Sequence, residues 1–99
     1  MSRVTLEARQ SGETRTETFE FVSRLALAET ISTANVSAAV YAGTDASPSA
    51  LLSGSASISG TKVTQKTTAG TVGVVYLLTC SITTSAGQAL KLSAYLQVA

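Results

Sequence analysis

From Val74 to Val98 apolar and polar positions alternate with little interruption. Val74, Tyr76, Leu78, Cys80 and Ile82 fall in one phase of a period of two. Leu90, Leu92, Ala94, Leu96 and Val98 repeat that phase in a second run, with Ser85-Ala86-Gly87 between the two. A period of two sets each group on one face of a strand, so the pattern predicts two strands, each with one buried face, joined by a tight turn. The same period recurs upstream. Thr14 to Val22 predicts a strand with Thr16, Thr18 and Glu20 on one face and Glu17, Phe19 and Phe21 on the other. Ile31 to Ala42 predicts another, with Val36, Ala38 and Val40 inward and Tyr41 outward. Leu51 to Ser59 is a weaker strand interrupted by Gly54, and Thr61 to Thr68 alternates around Val63. Val4 and Leu6 alternate with Thr5 and Glu7 in a short strand inside an N-terminal arm, 1–12, which Gln10-Ser11-Gly12 breaks.

The connections agree with this reading. Arg24 to Thr30 is made of helix formers but is too short for a stable helix, so it predicts a turn or a single helical turn. Gly43 to Pro48, Ser59-Gly60-Thr61 and Thr68-Ala69-Gly70-Thr71 are rich in residues that turn the chain. About seven short antiparallel strands at such spacing predict an all-β, immunoglobulin-like β-sandwich over residues 13–99. A chain of 99 residues fits one domain with one two-layer core.

Composition strengthens the β reading. Charged residues make up 13% of the chain, about half the usual share, and Ser, Thr and Ala fill much of the rest. Thr favours pleated surfaces and Ser competes with the helical backbone. Net charge is +1, which gives no electrostatic case for nucleic acid. The charge is uneven, however. All six acids and four arginines lie up to Asp45, and only Lys62, Lys66 and Lys91 follow, giving −2 in the first part and +3 in the second. Such a split suits either a solvated surface or oppositely charged ends that meet between subunits. The start, Met-Ser-Arg-Val-Thr-Leu-Glu, has no apolar core of a signal peptide, and no apolar run is long enough to span a bilayer. A chain made in a cytosol, with no membrane partner, is expected.

Candidate chemistry is sparse. The absence of histidine removes the commonest general base and metal ligand, and one cysteine cannot complete a zinc site. Cys80 lies in phase with Tyr76, Leu78 and Ile82, which predicts a buried, inert thiol and no disulfide. Glu7, Glu13, Glu17 and Glu20 lie among arginines in strand-like sequence and predict solvated cross-strand pairs. No glycine spacing forms a phosphate loop. Tyr76 is placed for a tyrosine corner, its hydroxyl reaching a backbone group near Thr68 to Thr71, although it stands four residues before Cys80 instead of two. No catalytic residue, cofactor or metal is expected. Lys62 and Lys66 share a strand face that would suit an acidic patch, and Tyr41 and Tyr95 point outward as contact residues.

The chain resembles a family at this level. Glu17-Thr18-Phe19-Glu20-Phe21, then Glu29-Thr30-Ile31-Ser32-Thr33-Ala34, Gly60-Thr61-Lys62-Val63-Thr64, and the run from Thr68-Ala69-Gly70-Thr71 into Tyr76-Leu77-Leu78-Thr79-Cys80 carry the likeness. They are similar to small immunoglobulin-like proteins of tailed bacteriophages and prophages, the fiber-tail adaptors. The similarity runs from Thr16 to Val98, leaves out the arm, and departs from the pattern in lacking a tryptophan near Val22 and an aromatic near Lys66.

The resemblance implies a non-enzymatic structural protein of the virion neck or tail, assembled in the host cytoplasm. Its partners would be head-tail connector, tail or fiber components and further copies of itself in a homo-oligomeric ring, with no nucleic acid and no membrane. Strand addition by the arm to a neighbour's sheet edge would supply affinity. The candidate partner-contact residues are Arg3, Val4, Thr5, Leu6, Glu7, Tyr41, Lys62, Lys66 and Tyr95. Two other classes compete with the adaptor: a stand-alone immunoglobulin-like module binding a glycan or host surface protein through loop tips such as Gly43 to Ser49, and an assembly factor absent from the finished particle.

Overall fold

The predicted alternation becomes two sheets packed face to face. The computed structural model describes residues 3–5, 10, 12–25 and 28–99, with backbone alone at 3–5 and 23. Its strands are β1 (Arg3–Thr5), β2 (Arg15–Glu20), β3 (Ile31–Ala42), β4 (Leu52–Ser59), β5 (Lys62–Thr67), β6 (Val75–Thr84) and β7 (Ala89–Gln97). One sheet has the order β1-β7-β6-β3 and the other β2-β5-β4. Pairing is antiparallel throughout except for β1, which lies parallel to β7. β2, β5 and β4 therefore stand where strands B, E and D stand in an immunoglobulin domain, and β3, β6 and β7 where C, F and G stand. The fold is an immunoglobulin-like sandwich.

The core is what the period of two requires. Val74, Tyr76, Leu78, Cys80 and Ile82 are all buried, as are Ala94, Leu96 and Val98 opposite them on β7, while Leu90 and Leu92 pack at its edge. The other sheet contributes Phe19 and Val63, with Phe21 and Leu51 from the flanking connections. These side chains leave water together, and that shared burial is the main stabilising term of a domain with so few charged residues.

Two local departures have clear causes. A helical turn forms at Val22–Arg24, at the start of the segment read as a turn or single helical turn, of which 26–27 lie outside the described residues, and β2 stops at Glu20. The Glu20 carboxylate accepts the Val22 N–H at 3.0 Å, and Arg24 N–H donates to the Phe21 carbonyl at 2.8 Å, so the chain turns as soon as Phe21 is buried. One member of the acid cluster, Glu17, also differs from the solvated cross-strand pairs expected, whereas Glu20 faces Lys62 across the strands. Glu17 is buried on the core side and is held by Arg15 Nε at 2.9 Å on its own strand. After β3, Gly43 adopts a φ of 100° with Val74 so close that a Cβ would sit 3.2 Å from its backbone, so glycine is required there twice over.

Cys80 is fully buried, and desolvation pushes its thiol up to about 12. The folded protein should not react with a thiol reagent at pH 8, whereas the denatured chain should react fully; prompt labelling of the native form would contradict this burial. Leu78→Ala should destabilise by about 2–5 kcal/mol in urea unfolding, because it opens a cavity on the central strand.

Candidate functional site

The sequence-singled residues fall on three separate surfaces. The first is the outer edge of the larger sheet. Arg3, Val4 and Thr5 form β1 and pair with Ser93, Ala94 and Tyr95 of the chain's own β7; the expectation had set this segment on a neighbour. Leu6 and Glu7 lie outside the described residues. The three-residue β1 accompanies only part of β7, which runs from Ala89 to Gln97. Among the described residues no second strand lies along that edge, where the Arg24 guanidinium donates to the Lys91 carbonyl at 3.3 Å.

The second surface is the outward face of the same sheet. Register sets Ala39 beside Leu77 and Leu77 beside Tyr95, so the three strands bring small and apolar residues into one row. A register shift between Val40 and Ala42 lets Tyr41 swing over this row. The Tyr41 and Tyr95 rings meet with centroids 4.5 Å apart and planes tilted by 59°. Tyr41 remains 58% exposed. Val72, in the turn before β6, is another exposed apolar residue. Farther along the face the side chains are hydroxyls, with Thr79 and Ser93 3.4 Å apart. The tyrosines therefore form an aromatic spot on a polar sheet, a composition suited to protein contact. Single-strand periodicity put both rings outward, but their meeting depends on register across β6, which no local pattern reports.

The third surface is the outward face of β2-β5-β4. Lys62 and Lys66 are both exposed on it, while Val63, Gln65 and Thr67 alternate inward. Their surroundings differ. Lys62 pairs in register with Glu20, whose carboxyl is held below the usual glutamate range first by the Thr61 hydroxyl, then by the Val22 N–H and by Lys62 itself. Lys66 stands between Thr16 and Ser53. Beside it the β4 ladder jumps from Ser53 to Ser57 while β5 moves only from Lys66 to Thr64. This bulge opens a groove of about 360 Å³ in the sheet face.

Polar groups in the interior serve structure. The buried Tyr76 hydroxyl accepts the Thr71 N–H at 2.8 Å, completing the expected tyrosine corner, and donates to Asp45 at 2.5 Å. This bond first, and the Ser47 N–H second, hold the Asp45 carboxyl below the usual aspartate range. Sequence reasoning found the corner but not Asp45, which lies 31 residues away with no periodic signal. The buried Glu29 carboxylate accepts a hydrogen bond from the Thr84 hydroxyl. Among the described residues no group of three or more His, Cys, Asp or Glu is placed to hold a metal ion.

A family model described as podophage GP4 fiber-tail adaptor protein gp77 matches residues 9–97. The match spans β2 to β7, and so takes in both sheets apart from β1. No curated protein and no solved structure matches.

Tyr76→Phe should cost about 1–2 kcal/mol, because it strips a buried donor from Asp45 and an acceptor from Thr71. Asp45 contributes stability that is complete above its ordinary titration range and is lost as pH falls through its lowered folded-state value. Melting curves of Asp45→Asn should therefore fall less steeply than wild type below about pH 4. Parallel acid limbs would contradict the linkage.

Proposed function

The chain belongs to the podophage GP4 fiber-tail adaptor family, and on that premise we propose that it acts as one of several identical copies in a collar at the neck or upper tail, joining fiber to tail through surface contacts without catalysis. The family match across nearly the whole chain carries this reading. The surfaces support it. An immunoglobulin-like sandwich offers rigid outer faces, and here those faces carry an aromatic spot at Tyr41 and Tyr95 and a lysine-bearing face at Lys62 and Lys66. Its partners are tail and fiber proteins and its own neighbours, and its place is the virion.

Copies join by strand exchange. The segment 1–12 acts as an arm and 13–99 as the body it links. β1, which lies on its own β7 in the single chain, moves to the equivalent β7 edge of the next copy and keeps the same parallel register. Main-chain hydrogen bonds then supply affinity without special side chains. A closed ring makes each weak contact effectively intramolecular, so modest pairwise affinity suffices.

Quantitative mass spectrometry of purified particles tests the role. Peptides of this chain should occur at several copies per particle, in fixed ratio to the portal and tail proteins. Their absence from intact particles, with the chain abundant in the lysate, would overturn the adaptor reading. The exchange has its own test in the pair Arg3→Cys with Ser93→Cys, whose Cα positions are in register. Oxidised particles should yield a ladder of covalently linked copies on a non-reducing gel, whereas monomers with an internal disulfide would contradict exchange.

A further inference from the structure

Resting on the adaptor reading, we propose that the groove beside Lys66 seats an acidic segment of a partner tail protein, with the Lys66 ammonium taking a carboxylate. The groove is a built feature of the fold. Four steps along β4, from Ser53 to Ser57, face two steps along β5, from Lys66 to Thr64. Gly54 absorbs the distortion with a φ of 74°. Gln65, only 2% exposed, points inward beneath it and fixes the bulge: its Nε2 lies 3.3 Å from the Ser53 carbonyl, 3.2 Å from that of Gly54 and 3.0 Å from that of Lys66. The two N–H bonds of this buried amide, shared among two carbonyls of the bulge and one of the facing strand, hold the depression open in one shape.

The lining sets the chemistry. Thr16, Ser53, Ser55, Ser57 and Thr64 surround Lys66 with small hydroxylated side chains. Hydroxyls and one ammonium match a carboxylate, and they offer nothing to an apolar ligand. Nucleic acid would need stacking rings and several phosphate contacts, and the lining holds no ring.

Among the described residues no carboxylate is matched to this cation. Every carboxylate among the described side chains is engaged within the chain: Glu13 by the Gln10 N–H, Glu17 by Arg15, Glu20 by Thr61, Glu29 by Thr84, and Asp45 by Tyr76. Lys62 has Glu20 beside it. Lys66 has no ion pair among the described residues, and it lies between Thr16 and Ser53 at the groove. The bland alternative of a charge balanced across its own sheet therefore fits Lys62 but not Lys66. An acid brought by a partner completes the face.

The test uses phage particles assembled from a genome with a stop codon in this gene, to which the purified full chain is added. Wild type should bind them saturably, and more weakly as salt rises. Lys66→Glu should weaken binding by about tenfold or more, and Lys66→Arg should retain most of it. Ala86→Glu with Gln88→Glu, two exposed positions in the turn between β6 and β7, changes net charge by the same amount, should stay within about twofold of wild type and controls for net charge. Circular dichroism melts confirm that the variants fold. Binding of Lys66→Glu equal to wild type would overturn the groove while leaving the adaptor reading intact, and failure of wild type to bind would overturn both. Self-association of wild type that Lys66→Glu abolishes would place the acid on a second copy and overturn the proposal. So would binding to acidic host polysaccharide in place of particles.

Discussion

The hydroxyl of Tyr76 is the constraint on which the arrangement of the two sheets depends. Its ring is fully buried at the start of β6, so its one polar atom must find partners inside the protein. It finds them on two of the connections that cross between the sheets. Thr71 lies on the crossover from β5 to β6, and Asp45 on the crossover from β3 to β4. One phenol thus ties two long-range chain reversals to a central strand. The chain end is fastened at the same place, where Gly73 N–H donates to the Val98 carbonyl and Val98 N–H to that of Val74. Fixing these two crossovers helps fix the outer faces of the sheets, which carry the contact features proposed above.

This division of labour explains why the chain looks featureless as chemistry. Its interior polar groups, Gln65, Thr67, Glu29 and Tyr76, hold a bulge, a strand end and two turns in shape. The outer surfaces combine hydroxyls with a few placed larger groups. Such a design suits a part whose work is to be held in place by many neighbours, where shape and repetition matter more than any single strong contact.

β2, β3, β5, β6 and β7 were legible because one face of each is buried, and burial writes a period of two into the sequence. β3 runs over Ile31–Ala42 as the alternation demands, and the inward set of β6 is the set read from its pattern. Features that depend on register were not legible. The meeting of Tyr41 with Tyr95 needs the alignment of three strands, and the groove beside Lys66 needs a bulge that Gly54 only hints at. The turn at Val22–Arg24 was not legible either, because it rests on the Glu20 carboxylate accepting the Val22 N–H, a local bond that carries no periodic signal. The buried inward Gln65 did leave a signal: a long amide in an apolar phase marks backbone carbonyls that lack a ladder partner.

A cryo-electron-microscopy reconstruction of the particle's neck and tail tests the central claim most directly. The account predicts density for several symmetry-related sandwiches, with strands continuing from the β7 edge of one copy into the next and the outer sheet faces covered by tail or fiber protein. Sandwiches attached only through loop tips, with both sheet faces and the β7 edge bare to solvent, would contradict it.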